Sequence, residues 1–200
     1  MGFWDAVLGR SKPVRPDLDR LFGLPGAAVT LEAGAGFTPT GLGSVCFASV
    51  EGGAFAQLRH DVEELLNSDM ATDADAGRGG APVEFSRDAY GYTWLLVRQP
   101  ADDAPALVND LHAVNTLLQD GGFGPQLLCS LLGFTNAADG RSLALVYLYK
   151  RGTFYPFAPL PGAEKRDNGL ELQVRAMLGD DLRIEEDLSR WFPVWGAPGL

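Results

Sequence analysis

His60, His112, Cys46 and Cys129 are all the imidazoles and thiols of this 200-residue chain, and each way of combining them implies a different chemistry. A structural metal site needs several such ligands at short spacings, because four donors must converge on one ion. Each histidine instead falls inside its own helical pattern, and neither is within ligand spacing of a cysteine or of the other histidine. A Cys–His nucleophile pair needs closeness in space, but no local signature surrounds either cysteine and no Gly-x-Ser-x-Gly elbow occurs. Both cysteines sit in apolar, strand-like runs, where a reduced thiol behaves as a small hydrophobe, so buried free thiols are expected. Asp102 and Asp103 form the one adjacent carboxylate pair at a helix start. Neighbouring residues on a helix point apart, and acids in a first turn already complement the helix dipole, which makes their expected role structural. The segment 34–43 is glycine-rich like a phosphate cradle, yet it lacks the Gly-Lys-Ser/Thr ending and no helix begins where an anion would need one. It reads as a strand connection, with a recognition loop around Phe37 and Thr38 as the functional variant. No catalytic residue, metal ligand or cofactor site is assigned, and the expectation is a protein that is not an enzyme.

The elements that position these side chains follow from apolar periodicity and from the breakers between them. Phe3, Trp4, Val7 and Leu8 share one face of a short amphipathic helix that Pro13 and Pro16 terminate. Asp17 caps a second short helix through Phe22, closed by Gly23 and Pro25. Strands are predicted over 28–32 and 44–50, joined by the Gly/Thr/Pro-rich loop 34–41. Phe55, Leu58, Val62, Leu65 and Leu66 then form a helical stripe, and 67–82 reads as a mobile loop. A hairpin follows, 83–87 with 92–98 around the turn 88–91. A long helix opens at Asp102 and Asp103, carries Leu107, Leu111, Val114, Leu117 and Leu118, and closes at Gly121-Gly122. The second hairpin, 126–134 with 142–150, has continuously apolar strands and should be central in its sheet. Beyond it lie the aromatic and proline segment 153–159, a helix over 165–178, a shorter acidic helix ending near Arg190, and the coda Trp191 to Trp195. The sum is an α+β fold, an antiparallel sheet packed with helices. Residues 16–162 form its body, 1–15 an amphipathic N-terminal segment, and 163–200 a helical tail packed on the body.

A formal net charge of −10 excludes a general nucleic-acid binder, because phosphate contacts need clustered cations. No apolar run approaches the roughly 20 residues of a membrane-spanning helix. The N-terminus has neither a basic segment ahead of its apolar stretch nor a small-residue cleavage site, so a cytoplasmic protein is expected. Position 6 is Ala, so the myristoylation pattern fails. Arg10, Lys12 and Arg15 directly follow the apolar residues of the N-terminal segment, the order expected of reversible contact with an anionic membrane surface. Docking of that segment on the domain's own core or on a partner is the competing reading.

The stretches MGFWDAVLGRSKPVRP, GFTPTGLGSVCFASVEGGAF, SRDAYGYTWLLVR, NDLHAVN, GFGPQLLCSLLGF, LALVYLYKRGTFYPFAPLPG, KRDNGLELQVRAMLGDDL and DLSRWFPVWGAPGL resemble the PspA-associated protein PspAB family of actinobacteria over nearly the whole chain. The resemblance implies an accessory component of a phage-shock-type envelope-stress response, in which PspA is a membrane-remodelling coiled-coil protein. It implies PspA or associated membrane-stress proteins as partners, with an HtpX-type membrane protease as a second candidate, and it supplies no catalytic residues. The order of elements is also similar to YbjN and type III secretion chaperone-like proteins, a likeness of fold that carries no function by itself.

Three functional readings follow. The first is a non-enzymatic adaptor that binds other proteins, a second copy of itself included. Its candidate contact residues are Phe3, Trp4, Val7, Leu8, Arg10 and Lys12 of the N-terminal segment, Phe37 of the loop, and Tyr155, Phe157, Trp191 and Trp195 of the aromatic segments, and it predicts exposed aromatics. The second is a small-ligand sensor or cryptic enzyme, with a pocket between the 34–43 loop and the aromatic tail where Thr38, Asn115 and Lys150 converge. The third is a peripheral membrane sensor that binds liposomes through Trp4 and its flanking cations.

Overall fold

Leu24, Ala27, Ala28 and Leu31 are buried at intervals of three and four, and that stripe makes residues Leu24–Ala35 a helix, α1. This corrects the strand expected over 28–32. The β-branched Val29 and Thr30 favour a strand locally, but Val29 points to solvent while the helical stripe faces the core. Pro25 sits in the first turn, where its missing N–H costs nothing, and Gly36 ends the helix at φ 70°, its N–H bonding back to Glu32 and Leu31. The preceding short helix is observed as a 3-10 turn over Leu18–Gly23.

The computed structural model describes residues 16–49, 52, 53, 56, 57, 59–64, 83–162 and 164–200. The expected N-terminal helix with Phe3, Trp4, Val7, Leu8, Arg10 and Lys12 lies outside them, as does the loop 67–82. Residues 53, 56, 57 and 59–64 have helical backbone, as their stripe predicted.

Six antiparallel strands form one sheet: β1 Phe37–Ala48, β2 Glu84–Arg87, β3 Tyr92–Arg98, β4 Leu127–Asn136, β5 Ser142–Leu148 and β6 Thr153–Phe157. Their spatial order is β2-β3-β1-β4-β5-β6. Both predicted hairpins are present, β2–β3 and β4–β5, and the strands of the second are flanked on both sides. β1 begins at Phe37, so most of the expected 34–43 loop is strand, bulged between Pro39 and Gly43. β6 lies on the sheet edge, where Pro156 removes no ladder donor.

Helix α2, Ala104–Leu118, starts where the Asp103 carboxylate accepts the Ala106 N–H at 3.0 Å, so the acidic pair caps a helix. Helix α3, Asn168–Met177, is capped in the same way by Asp167. The shorter acidic helix reduces to a 3-10 turn over Leu188–Arg190, and the residues before it run alongside β6, with Phe154 and Ile184 forming a parallel bridge.

The sheet divides the interior in two. On one face Val45, Phe47, Leu95, Leu132, Leu145 and Tyr147 pack under α1, α2 and Val174 of α3. On the other, Cys46, Trp94, Cys129, Leu131, Val146, Tyr155 and Phe157 meet the coda residues Trp191, Val194 and Ala197.

Candidate functional site

Directly paired residues of antiparallel strands project to the same side of a sheet. Trp94 on β3 pairs with Cys46 on β1, Cys46 with Cys129 on β4, and Cys129 with Leu148 on β5. These four side chains make one transverse row near one end of the sheet's second face. The coda crosses that face obliquely. It leaves Trp191 stacked on Tyr155 at 6.0 Å and carries Gly199 to the opposite end, where a Cβ on Gly133 would stand 2.0 Å from the Gly199 carbonyl. The half of the face it does not cover is a groove of about 580 Å³ whose floor is the transverse row. Tyr90 and Tyr92 of the β2–β3 hairpin line one side, Phe192, Val194 and Trp195 another, and Lys150 and Arg151 of the β5–β6 turn stand at its end.

The polar groups of the lining are largely committed to structure. Asp88 accepts the Tyr90 and Tyr92 N–H groups and the Trp94 indole N–H, each at 2.9 Å. Arg151 donates twice to Glu185, and Arg190 pairs with Asp187. Lys150 is exposed and makes no ion pair among the described residues, so it is the rim charge available to an occupant. Burial pushes the Tyr155 phenol well up, and its hydroxyl donates to the Phe192 carbonyl at 2.8 Å, which pins the coda. Hydrogen bonding to Cys129 and burial together push the Cys46 thiol up, so it stays protonated. Both cysteines are free and buried.

The predicted contact residues separate on inspection of the sheet. Phe37 is fully buried beneath the Arg141 guanidinium rather than displayed on a loop. Tyr155, Phe157 and Trp191 are buried too, because β6 turns its aromatics inward and the coda seals them. Trp195 is half-buried, edge-on to Phe157 at 4.9 Å, and lines the groove. The exposed aromatics among the described residues are instead Phe22, away from the groove, and Tyr90, Tyr92 and Phe192, which line it. The residues expected to line a pocket between the 34–43 segment and the tail do not converge: Thr38 bonds the Thr135 carbonyl, and Asn115 is buried on the helical face. Asn115 donates to Leu111 and Ser130 there, while its carbonyl oxygen has no partner among the described residues. Of that trio only Lys150 reaches the groove.

His112 approaches Asp19 at 3.3 Å and stacks near Phe22, a surface arrangement, and His60 is exposed. Among the described residues no group of three or more His, Cys, Asp or Glu side chains gathers as a metal site would require. No helix of the described residues is long and apolar enough to cross a membrane.

No curated protein and no solved structure matches the chain. A family model, described as PspA associated protein B, matches residues 1–199. With the match running across almost every residue, the chain belongs to the PspA associated protein B family.

Proposed function

We propose that the protein is a non-enzymatic accessory of a PspA-type envelope-stress response, acting from the cytoplasm by binding PspA through the groove on its sheet. The observation that carries this reading is the groove itself: an apolar floor with exposed aromatic rims, Tyr90, Tyr92 and Phe192, left open on a face that the coda otherwise covers. Aromatic side chains dominate the energetics of protein interfaces, and polar lining groups already bonded within the fold are poorly placed for catalysis. The family description, PspA associated protein B, supports PspA as the partner. Titration of the full chain against purified PspA tests the reading. Saturable binding that weakens at least about tenfold in Phe192→Asp, the scale of a lost hot spot, supports it. Equal binding by that variant refutes the groove as the contact.

The groove volume favours a second reading, since about 580 Å³ lies within the range of roughly 300–1,000 Å³ typical of small-molecule sites. An apolar ligand with an anionic head directed at Lys150 fits the lining. Native mass spectrometry of protein purified from its own cells distinguishes the two, because a resident ligand adds discrete mass and a protein-binding groove does not.

A further inference from the structure

The two thiols on the groove floor are the only cysteines of the chain, and the register sets them opposite one another. Opposed residues of an antiparallel pair have Cα atoms about 4.5–5.5 Å apart, within the roughly 4.4–6.8 Å that a disulfide spans. Both thiols line the cavity, so a small reagent entering the groove meets them together. Just beyond Cys46 the register shifts by one residue, a bulge that gives the strand pair local freedom to adjust.

We propose that Cys46 and Cys129 are an oxidant-responsive modification site, closing to a reversible cross-strand disulfide when hydrogen peroxide enters the groove. Cys129 is the sulfur that attacks first in one order, and the direct pairing of the two residues makes the reverse order equivalent. An S–O bond forms at Cys129 as the peroxide O–O bond breaks, and the Cys129 proton leaves with the departing oxygen as water. The Cys46 sulfur then attacks the sulfenic sulfur. The S–S bond forms, the S–O bond breaks, and a second water carries off the Cys46 proton. Two thiols lose two electrons in all, one peroxide gains them, and the products are one disulfide and two waters. A dithiol reductant reverses the change by exchange. Because the thiols lie under the groove, only small oxidants reach them.

The site is independent of the partner assigned to the groove, and its test needs no partner. The full-length reduced protein is treated with excess hydrogen peroxide and then unfolded for thiol titration and intact-mass measurement. The expected result is loss of both thiols, a mass lower by two hydrogens, a monomer on a non-reducing gel, and recovery with dithiothreitol. Trp94 neighbours Cys46 in the register, so its fluorescence should fall on oxidation and return on reduction. Cys46→Ser and Cys129→Ser should each abolish the two-hydrogen loss and the fluorescence change. The proposal is overturned if the folded protein keeps both thiols while the urea-unfolded chain oxidises. It is equally overturned if the product is a disulfide-linked dimer, or if oxidation adds oxygen without forming the bond.

Discussion

Trp94 gives its indole N–H to the Asp88 carboxylate at 2.9 Å, and that bond ties the floor of the groove to the turn forming its wall. The same carboxylate holds the turn together, through the Tyr90 and Tyr92 N–H groups on its other oxygen. Charge-assisted bonds of this kind are the stronger ones, and a donor left unpaired at a half-buried site pays its desolvation.

Asp88→Ala should therefore destabilise the protein by about 1–3 kcal/mol. Asp88→Asn keeps an acceptor for the turn but lacks one for the indole, so it should cost less and still perturb Trp94. Urea unfolding with near-UV circular dichroism checks both. An Asp88→Asn variant as stable as the wild type would show that the indole bond contributes nothing, and equal losses in the two variants would show the same of the turn bonds.

Glu185 is 2% exposed, in the segment that follows α3 and runs alongside β6. Desolvation pushes its carboxyl up, but bonds from Arg151, Thr153 and the Asp187 N–H outweigh that and hold it below its ordinary value. A carboxylate with a depressed folded value contributes stability above the unfolded value, near 4.5, and loses it as pH falls through the folded one. Wild-type stability should drop on acidification below that point, and Glu185→Gln should flatten the drop. At neutral pH the substitution should cost about 1–3 kcal/mol rather than the full penalty of a broken buried pair, because Arg151 is 40% exposed and water can take over its charge. Thermal melts from pH 3 to pH 7, in steps of about half a unit, decide it. Parallel pH profiles in both proteins would exclude Glu185 as the cause.

The parts of this fold that were legible are those whose signal is local. α2 shows an unbroken stripe behind a capping Asp103, and the β2–β3 and β4–β5 hairpins show apolar runs on either side of evident turns. α1 was misread because Val29 and Thr30 advertise a strand, while its helical stripe is made partly of small alanines with weak hydrophobic contrast. The groove was not legible, since Trp94, Cys46, Cys129 and Leu148 meet only through the register of four strands. Continuously apolar β4 and β5 demand cover on both faces, and that cover had to come from the aromatic coda, which places Trp191 in the core.

Gly133 is where that cover closes against the sheet. A methyl group there would stand 2.0 Å from the Gly199 carbonyl and 2.9 Å from the Thr40 hydroxyl, and the first of these is backbone that no rotamer change can move. Gly133→Ala should push the C-terminal residues off the sheet at a cost of about 1–3 kcal/mol, the usual penalty of overpacking. Carboxypeptidase should then trim the variant faster than the wild type. An unchanged trimming rate would mean that the closing contact yields easily.

Removal of residues 1–12 separates the N-terminal segment from the groove as the contact with a partner. Among the described residues the core starts at Leu18, and the Tyr147 hydroxyl fixes the entering chain by donating to the Asp17 carbonyl at 2.8 Å. The truncated chain keeps that tether, so its stability should change by no more than about 0.5 kcal/mol. Phe3, Trp4, Val7 and Leu8, followed by Arg10 and Lys12, have the apolar and cationic order that binds an anionic surface. Co-sedimentation with anionic vesicles should therefore be lost on truncation, weakened by Trp4→Ala, and suppressed by salt, while PspA binding through the groove persists. Loss of PspA binding on truncation, with Phe192→Asp silent, would transfer the protein contact to the N-terminal segment. A fall in stability of several kcal/mol would instead show that the segment packs on the chain's own core.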